Sequence, residues 1–429
     1  MLQAPRGTKD IYSPEIIKWQ HIENKFKECA ELYGYSEIRT PIFEDVNIFK
    51  RAVGETTDIV QKEMYVFKDK KDRTFALRPE NTASIVRSYI QNKLVDNQYS
   101  TLPGGITRLF YIGPMFRYER PQSGRSRQFH QLGVELIGLD EPQADIEMIS
   151  LIKDFFCSIK VYYQLELSSV GCELCRDKYR DELINYATKG KDSLCELCSE
   201  RLKKNPLRIL DCKVNGCKDF LNSSPEIIDY LCDKCRYHLD VVKSYVEKRK
   251  INFKINPRLV RGLDYYTRTV FEFKSDRLGS QDALAAGGRY NNLIEQFKGE
   301  PTPSVGFAAG IERLVLASQI NEEIQSRISI YISHIDEECF EYVCDLSEEL
   351  RQSCIKKGLA LRVVQEIRKE PLKISRILSV ASKYKFHFVI FIGTKEMKDN
   401  KVSVKNLSSG EQINLDRAIW IDKLIEIIV

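Results

Sequence analysis

No apolar run in the 429 residues approaches the ~20 needed to span a bilayer. The N-terminus, Met1-Leu2-Gln3-Ala4-Pro5-Arg6-Gly7, lacks the basic start and apolar stretch of a secretory signal. These absences make a cytoplasmic chain without membrane contact the expectation. Net charge is also small: 66 Lys and Arg stand against 61 Asp and Glu, a balance of +5. That total does not argue for nucleic acid, because such a partner leaves its mark in local clusters. Internal repeats and low-complexity linkers are missing too, so solenoids and flexible tethers are set aside. What remains is 43% hydrophobic and 30% charged, the composition of a globular chain, with length for two or three domains.

Cysteine is plentiful, at 13, and eight fall between Cys172 and Cys235. A reducing compartment turns such a pattern away from disulfides and towards metal. Cys172-x-x-Cys175 with Cys195-x-x-Cys198 makes one double pair, and Cys212 and Cys217 with Cys232-x-x-Cys235 makes another, each offering the four thiolates of structural Zn2+. Cross-pairing between the sets stays open. The alternative is a group of reduced, buried cysteines packing as small hydrophobes.

Ile22, Phe26, Cys29 and Tyr33 recur at helical spacing ahead of Gly34, which predicts a helix over Pro14 to Tyr33. Thr107 to Ile112 and Gln128 to Ile137 are rich in strand formers. Arg117 to Arg127 between them carries turn residues, so a long antiparallel hairpin is expected. Ile146, Ile149, Ile152 and Phe156 form one stripe of a helix over Gln143 to Val161. Strands are expected at Leu259 to Phe273, Gln281 to Ala286 and Val305 to Ala308, the last leading into a helix near Gly310. From Arg327 strands and helices alternate: Ile328 to Ile332, Glu337 to Lys356, Leu359 to Val364, Pro371 to Tyr384 and Phe388 to Ile392. This implies a small separate α/β domain.

Three segments carry chemistry. Phe116-Arg117-Tyr118-Glu119 leads into a turn with Arg120, Arg125 and Arg127, and Phe129 follows on the returning strand, so cations gather beside an aromatic face. Guanidinium forks bind phosphate oxygens and a ring can stack on a base. Val305-Gly306-Phe307-Ala308-Ala309-Gly310-Ile311-Glu312-Arg313 lets a strand pass tightly into a helix that carries an arginine near its start. Arg258-Leu259-Val260-Arg261-Gly262-Leu263-Asp264-Tyr265-Tyr266 mixes charge, glycine and aromatics.

The first two segments resemble motifs two and three of class II aminoacyl-tRNA synthetases, and Thr40-Pro41 resembles the end of motif one, where that family's dimer interface lies. The third resembles the segment that sets histidyl-tRNA synthetases apart. Leu77-Arg78-Pro79-Glu80, Gln128 to Glu135 and Ala285-Ala286-Gly287-Gly288-Arg289-Tyr290 extend the likeness. It implies an α+β fold, a class II antiparallel sheet flanked by helices, with a helical cysteine-rich insertion and a C-terminal α/β anticodon-binding domain. The expected divisions are 1–169 and 255–325 for the catalytic domain, 170–254 for the insertion and 326–429 for the last domain.

The resemblance also implies roles. Glu80, Thr82 and Gln131 match positions around the ammonium of histidine, and Glu135, Tyr265 and Tyr266 match those lining its imidazole. Asn81 belongs to the same segment, where the family usually has glycine. Arg117 and Arg313 match arginines on the α- and terminal phosphates of ATP, with Glu119 and Arg125 beside them, and Phe129 matches the ring that stacks on adenine. Arg261 matches the arginine that reaches both the histidine carboxylate and the α-phosphate; with Arg117, which also faces the amino acid, it is the expected catalytic group. Two anions can react only when their charge is neutralised and their atoms aligned.

The implied reaction joins histidine to tRNA-His through histidyl-adenylate, with ATP and Mg2+ and a homodimeric enzyme. Arg201, Lys203, Lys204 and Arg208 read as a basic patch facing the tRNA acceptor arm. Lys356, Lys357, Arg362, Arg368, Lys369, Lys373 and Arg376 make the last domain locally basic. The rival reading is the non-catalytic, histidyl synthetase-like regulatory subunit of ATP phosphoribosyltransferase. A prolyl or threonyl enzyme would not be expected to carry Arg261 to Tyr266.

Overall fold

The computed structural model describes residues 2–98, 101–212, 214–279, 282–320 and 328–428. The chain divides into two compact units, Met1–Ile320 and Asn321–Val429. The boundary expected at residues 325 and 326 lies outside the described residues.

In the first unit the helix Glu15–Leu32 forms as its spacing predicts, with Trp19, Ile22, Phe26 and Ala30 buried along one face. It ends because Gly34 turns left-handed at φ 80°, letting the Gly34 N–H donate to the Glu31 carbonyl and the Tyr35 N–H to that of Ala30. The nine-stranded sheet has a path running Ser36–Glu37, Ile106–Phe116, Gln128–Ile137, Ser304–Gly310, Ala283–Arg289, Thr267–Lys274, Gln164–Ser169 and Phe253–Ile255. Thr101–Leu102 pairs beside Ile106–Phe116. The central ladders are antiparallel and only the two ends pair parallel.

Alternation along Gln128–Ile137 decides what faces where. Leu132, Val134 and Leu136 enter the core with Phe26 and with Met148, Ile149, Ile152, Phe155 and Phe156 of the helix Gln143–Ser158. Gln131, Gly133 and Glu135 therefore turn to the opposite face, which is where the cleft opens.

The strand expected over Leu259 to Phe273 is shorter. Thr267–Lys274 joins the sheet, whereas Leu259 to Tyr266 is irregular. Its backbone bonds leave the ladder: the Leu259 N–H goes to the Asn256 carbonyl and the Asp264 N–H to that of Val53. The neighbouring strand starts at Ala283, and Gln281, where it was expected to start, lies outside the described residues.

The insertion is helical, with Glu173–Lys189, Glu196–Lys204, Asn215–Leu221 and Asp233–Lys248. It has a small core of its own around Tyr179, Leu183, Ile209 and Leu221. Leu239, Val242 and Val246, however, pack into the core beneath the main sheet.

The second unit holds five strands in the order Arg362–Gln365, Ser329–His334, Phe388–Ile392, Lys401–Asn406 and Gln412–Asp416. The first three are parallel and the last two antiparallel, with helices Phe340–Lys356, Ile374–Lys383 and Trp420–Ile428. The antiparallel pair and the last helix were not foreseen. Among the described residues no helix is long and apolar enough to cross a membrane.

One buried ion group ties three parts of the first unit. Arg289, at 0% exposure, donates to Asp145 Oδ2 at 2.8 Å and to the carbonyls of Leu139 and Glu141 at 2.9 and 2.5 Å. His238 Nε2 of the insertion meets the same Asp145 oxygen at 2.9 Å, and since a carboxylate only accepts, this nitrogen carries the proton. Burial alone would raise the Asp145 carboxyl, but Arg289 and His238 hold it below the usual range. Asp145→Ala should leave a buried guanidinium without its counter-charge and cost about 3–5 kcal/mol, read as a lowered calorimetric midpoint of the first unit. Because the folded pKa is depressed, the stabilisation is present above the ordinary carboxylate range and lost as pH falls through the folded value.

Candidate functional site

The cleft on the open face of the sheet encloses about 990 Å³, its mouth included, a size suited to a small-molecule ligand. One half is acidic and aromatic. Glu80 precedes the helix Thr82–Gln91, and its carboxylate accepts from the Thr82 and Ala83 N–H groups at 2.7 and 3.0 Å, which caps the helix. Burial pushes this carboxyl up and those two N–H groups offset part of the rise.

Glu135 lies directly beneath, 1% exposed. Thr82 Oγ1 donates to its Oε1 at 2.7 Å, and the Tyr290 hydroxyl donates to Oε2. Desolvation outweighs both donors and pushes Glu135 up to about 8. The strand beside it must carry glycine, since a Cβ at Gly306 would run into the Glu135 carboxylate and the Val134 carbonyl. Tyr265 and Tyr266 close this half, their rings 4.8 Å apart, with Tyr290 at 5.7 Å from Tyr265. Gln131 Oε1 is buried and has no protein partner.

The other half is cationic. Arg117 donates through Nε to the Pro79 carbonyl at 2.9 Å, and its guanidinium carbon sits 5.2 Å from the Phe129 ring centre. Arg125 pairs with Glu119 at 3.0 Å. Arg313 donates to the carbonyls of Gly124 and Ala283 at 3.1 and 2.8 Å. Burial and the neighbouring Arg125 lower its pKa, so the site concentrates positive charge at some cost. Arg261 shares the loop of Tyr265 and Tyr266, and Glu272 grips its Nη1 at 2.5 Å, more than offsetting the effect of burial. Its Nε is buried without a protein partner.

The structure thus brings Glu80, Thr82, Arg117, Glu119, Arg125, Phe129, Gln131, Arg261, Tyr265, Tyr266 and Arg313 to one lining, with Glu135 under it. Asn81 is not in that lining. Its Oδ1 accepts from Thr40 at 2.6 Å and from Arg78 at 3.3 Å, tying the first motif to the helix entry. Its φ of −114° and ψ of −15° need no special tolerance. Tyr290, Glu272 and Glu312 were not singled out from the sequence. Tyr290 ends the motif Ala285 to Tyr290, and strand alternation on Thr267–Lys274 puts Glu272 on the face opposite Phe271 and Phe273, which join the main core.

The cysteines sort differently from their order in the chain. Cys172 and Cys175 meet Cys232 and Cys235, whereas Cys195 and Cys198 meet Cys212 and Cys217, with the four sulfurs of each set within 4.8 Å. Cys172, Cys195 and Cys232 each stand at the start of a helix. The Cys232 N–H donates to Cys175 Sγ at 3.1 Å and the Cys195 N–H to Cys217 Sγ at 2.9 Å. Backbone N–H donation from Cys198 and Cys235 lowers Cys195 and Cys232 to about 7. Sulfur separations of 3.5 Å for Cys172 and Cys175, 3.9 Å for Cys172 and Cys232, and 3.8 Å for Cys195 and Cys212 suit tetrahedral zinc, where Zn–S of about 2.3 Å spaces sulfurs about 3.8 Å apart.

Of the basic patch expected on the insertion, Lys203 and Lys204 are exposed. Arg201 instead pairs with Asp58 at 3.0 Å, and Arg208 reaches Asp58 at 3.7 Å and the Thr56 carbonyl at 3.4 Å. In the second unit the seven basic residues expected from the sequence, Lys356, Lys357, Arg362, Arg368, Lys369, Lys373 and Arg376, are all exposed.

Residues 7–314 match the family model described as histidyl-tRNA synthetase, and residues 327–427 match that of the anticodon binding domain. The histidine–tRNA ligase of Halothermothrix orenii is 43% identical over 431 residues, covering all of both chains. The crystal structure of apo histidyl-tRNA synthetase from S. aureus superposes with a TM-score of 0.79 at 34% identity, covering 99% of each chain. A Bacillus halodurans C protein described as an ATP phosphoribosyltransferase regulatory subunit/histidyl-tRNA synthetase shares the fold alone, at 22% identity and a TM-score of 0.63 over 92% of this chain and 98% of its own. With a cleft whose acidic and cationic halves hold the motif residues together, and with this likeness running the length of the chain, the protein belongs to the histidyl-tRNA synthetase family.

Proposed function

We propose that the cleft activates histidine with ATP, forming histidyl-adenylate and pyrophosphate, and then passes the histidyl group to the terminal ribose hydroxyl of tRNA-His in the cytoplasm. The observation that carries this reading is the division of one cleft into a carboxylate half and an arginine half, with Arg261 held by Glu272 in the loop of Tyr265 and Tyr266. A zwitterion bearing an imidazole needs acceptors for its ammonium, a partner for its ring N–H and a cation for its carboxylate. Glu80, Thr82 and Gln131 serve the ammonium. Glu135 and the tyrosines serve the ring. A site that leaves these groups unpaired without imidazole rejects other amino acids.

Arg261 neutralises the histidine carboxylate and the α-phosphate together, and Arg117 fixes the same phosphate. Arg313 takes the terminal phosphate and Phe129 stacks on adenine. Charge and alignment then supply the catalysis, with no proton transfer needed in the first step. Glu119, paired with Arg125, and Glu312, which accepts from the His130 N–H, border the arginine half and would be the hard oxygen donors to hold Mg2+. Bound with ATP, that ion supplies neutralisation of the phosphate charge. The regulatory-subunit reading fits less well, because Arg117, Arg261 and Arg313 are all present and a matched anticodon-binding unit follows.

The chain acts as a homodimer through the surface after Thr40-Pro41. There Ile42, Phe43, Val66 and Phe67 are exposed side by side, with Phe43 and Phe67 ring centres 6.0 Å apart, the kind of apolar patch a partner covers. Each cysteine set holds one structural zinc.

Arg261→Ala should lower ATP–pyrophosphate exchange by roughly 10²–10³ or more with the fold retained by circular dichroism; normal exchange would sink the assignment. Glu135→Gln should weaken histidine binding about 10- to 100-fold by calorimetry. Since Glu135 is raised to about 8, its stabilising protonation is present below the ordinary carboxylate range and lost as pH rises through 8. The variant should therefore lose less stability than the parent between about pH 4.5 and about pH 8. Metal analysis should find about two zinc atoms per chain; freely titratable thiols in metal-free folded protein would refute that.

A further inference from the structure

The loop that carries Arg261, Tyr265 and Tyr266 is held by the insertion. Up to Tyr266 it has no place in the sheet ladder, and four anchor points, three along it and one at Arg268 where the strand begins, each meet an inserted residue. Arg258 spreads its guanidinium over the carbonyls of Leu221, Asn222 and Ser224 at 3.1, 2.6 and 3.2 Å and over Glu226 at 3.2 Å. Asp264 Oδ1 accepts from Asn205 Nδ2 at 3.1 Å. The Tyr266 carbonyl accepts from Arg176 at 3.1 Å, and the Arg268 N–H donates to the Gly171 carbonyl at 2.9 Å.

Every gripping residue lies beside or between the clustered cysteines. Gly171 and Arg176 flank the Cys172–Cys175 pair, Asn205 lies between Cys198 and Cys212, and Leu221 to Glu226 follow Cys217. Asp264 is also confined from the other side. Thr56 Oγ1 approaches it at 3.5 Å, and a Cβ on Gly54 would strike its carboxylate. Arg201 and Arg208 pin that same segment through Asp58 and the Thr56 carbonyl. A side chain such as Tyr266 can be aimed only as well as the backbone under it is held.

We propose that the insertion is a positioning element of the histidine pocket: Arg176, Asn205 and Arg258 clasp the loop of residues 258–268, and the two metal-filled cysteine knots set the placement of that clasp. The metal half rests on the zinc proposed for each cysteine set. The clasp itself rests on the hydrogen bonds. Because the loop carries the tyrosines of the imidazole half, loosening it affects histidine ahead of ATP: Arg117 and Arg313 are anchored on Pro79, Gly124 and Ala283, and Arg261, although it rides on the loop, is held at its guanidinium by Glu272 of the sheet.

Arg176→Ala and Asn205→Ala in the full chain test this. Each should raise KM for histidine and its calorimetric Kd roughly tenfold to a hundredfold, with KM for ATP within about twofold and metal content unchanged. Asn205→Asp, which sets a carboxylate against Asp264, should exceed the alanine effect. Removing metal from the parent with a chelator should reproduce the selective loss in histidine binding, and added Zn2+ should restore it. Unchanged histidine affinity in the metal-replete variants, or parallel loss of histidine and ATP affinity, would overturn the clasp. Absence of zinc in the purified parent would sink the zinc assignment and the metal half of the proposal, while the variants would still decide the clasp.

Discussion

Glu135 lies in the middle of a sheet at 1% exposure, where an ionised carboxylate costs several kcal/mol unless donors face it. Those donors come from separate parts of the chain: Thr82 from the first turn of a helix, and Tyr290 from the end of a strand two ladders away. The adjacent strand gives way by carrying Gly306. Even so, burial outweighs the donors and leaves the group poised near neutrality. A carboxyl in that state is costly for the fold; in the proposed recognition of histidine, a ring N–H placed against it would supply what the protein itself withholds.

The cationic half solves the opposite problem. Unpaired arginines crowded in a cleft repel each other and collapse onto nearby carboxylates, yet phosphate binding needs them free to face outward. Arg117 and Arg313 spend one edge of the guanidinium on backbone carbonyls, which are neutral, and Arg117 also has a carboxylate near, Glu119 at 3.9 Å. Arg261 differs, since Glu272 holds one nitrogen while the buried Nε stays unpaired. Fixing an arginine by part of its fork preserves both its charge and its direction, which is the requirement for electrostatic preorganisation.

How much of this was legible depends on whether the signal is local. The first helix and its stop at Gly34 follow from spacing and one glycine, and the hairpin from Ile106–Phe116 to Gln128–Ile137 follows from strand formers around an arginine-rich turn. The lining residues were readable because they recur as a family pattern. What escaped is non-local. Tyr290 and Glu272 act through partners 155 and 11 positions away. Asn81 faces Thr40 across the fold, although its neighbours Glu80 and Thr82 face the cleft. Leu259 to Tyr266 has the composition of a strand but bonds to residues far off in sequence. Arg201 and Arg208 read in sequence as part of a basic patch facing tRNA and are latched in space onto Asp58.

The cysteine pairing shows the same limit. Sequence order favours joining neighbouring Cys-x-x-Cys pairs, but the helices Glu173–Lys189 and Asp233–Lys248 begin side by side, so the first pair meets the last and encloses the other four cysteines. The outer set closes the base of the insertion where it leaves and re-enters the catalytic fold, and Cys175 and Cys235 belong to the core beneath the main sheet. The inner set belongs to the insertion's own small core with Cys198, Cys212 and Cys217. A module with so few buried apolar side chains cannot hold its shape by burial alone. With the zinc proposed for each set, the outer four cysteines would fix where the insertion is attached, and the inner four would give its distal part the rigidity that the hydrogen bond to Asp264 requires.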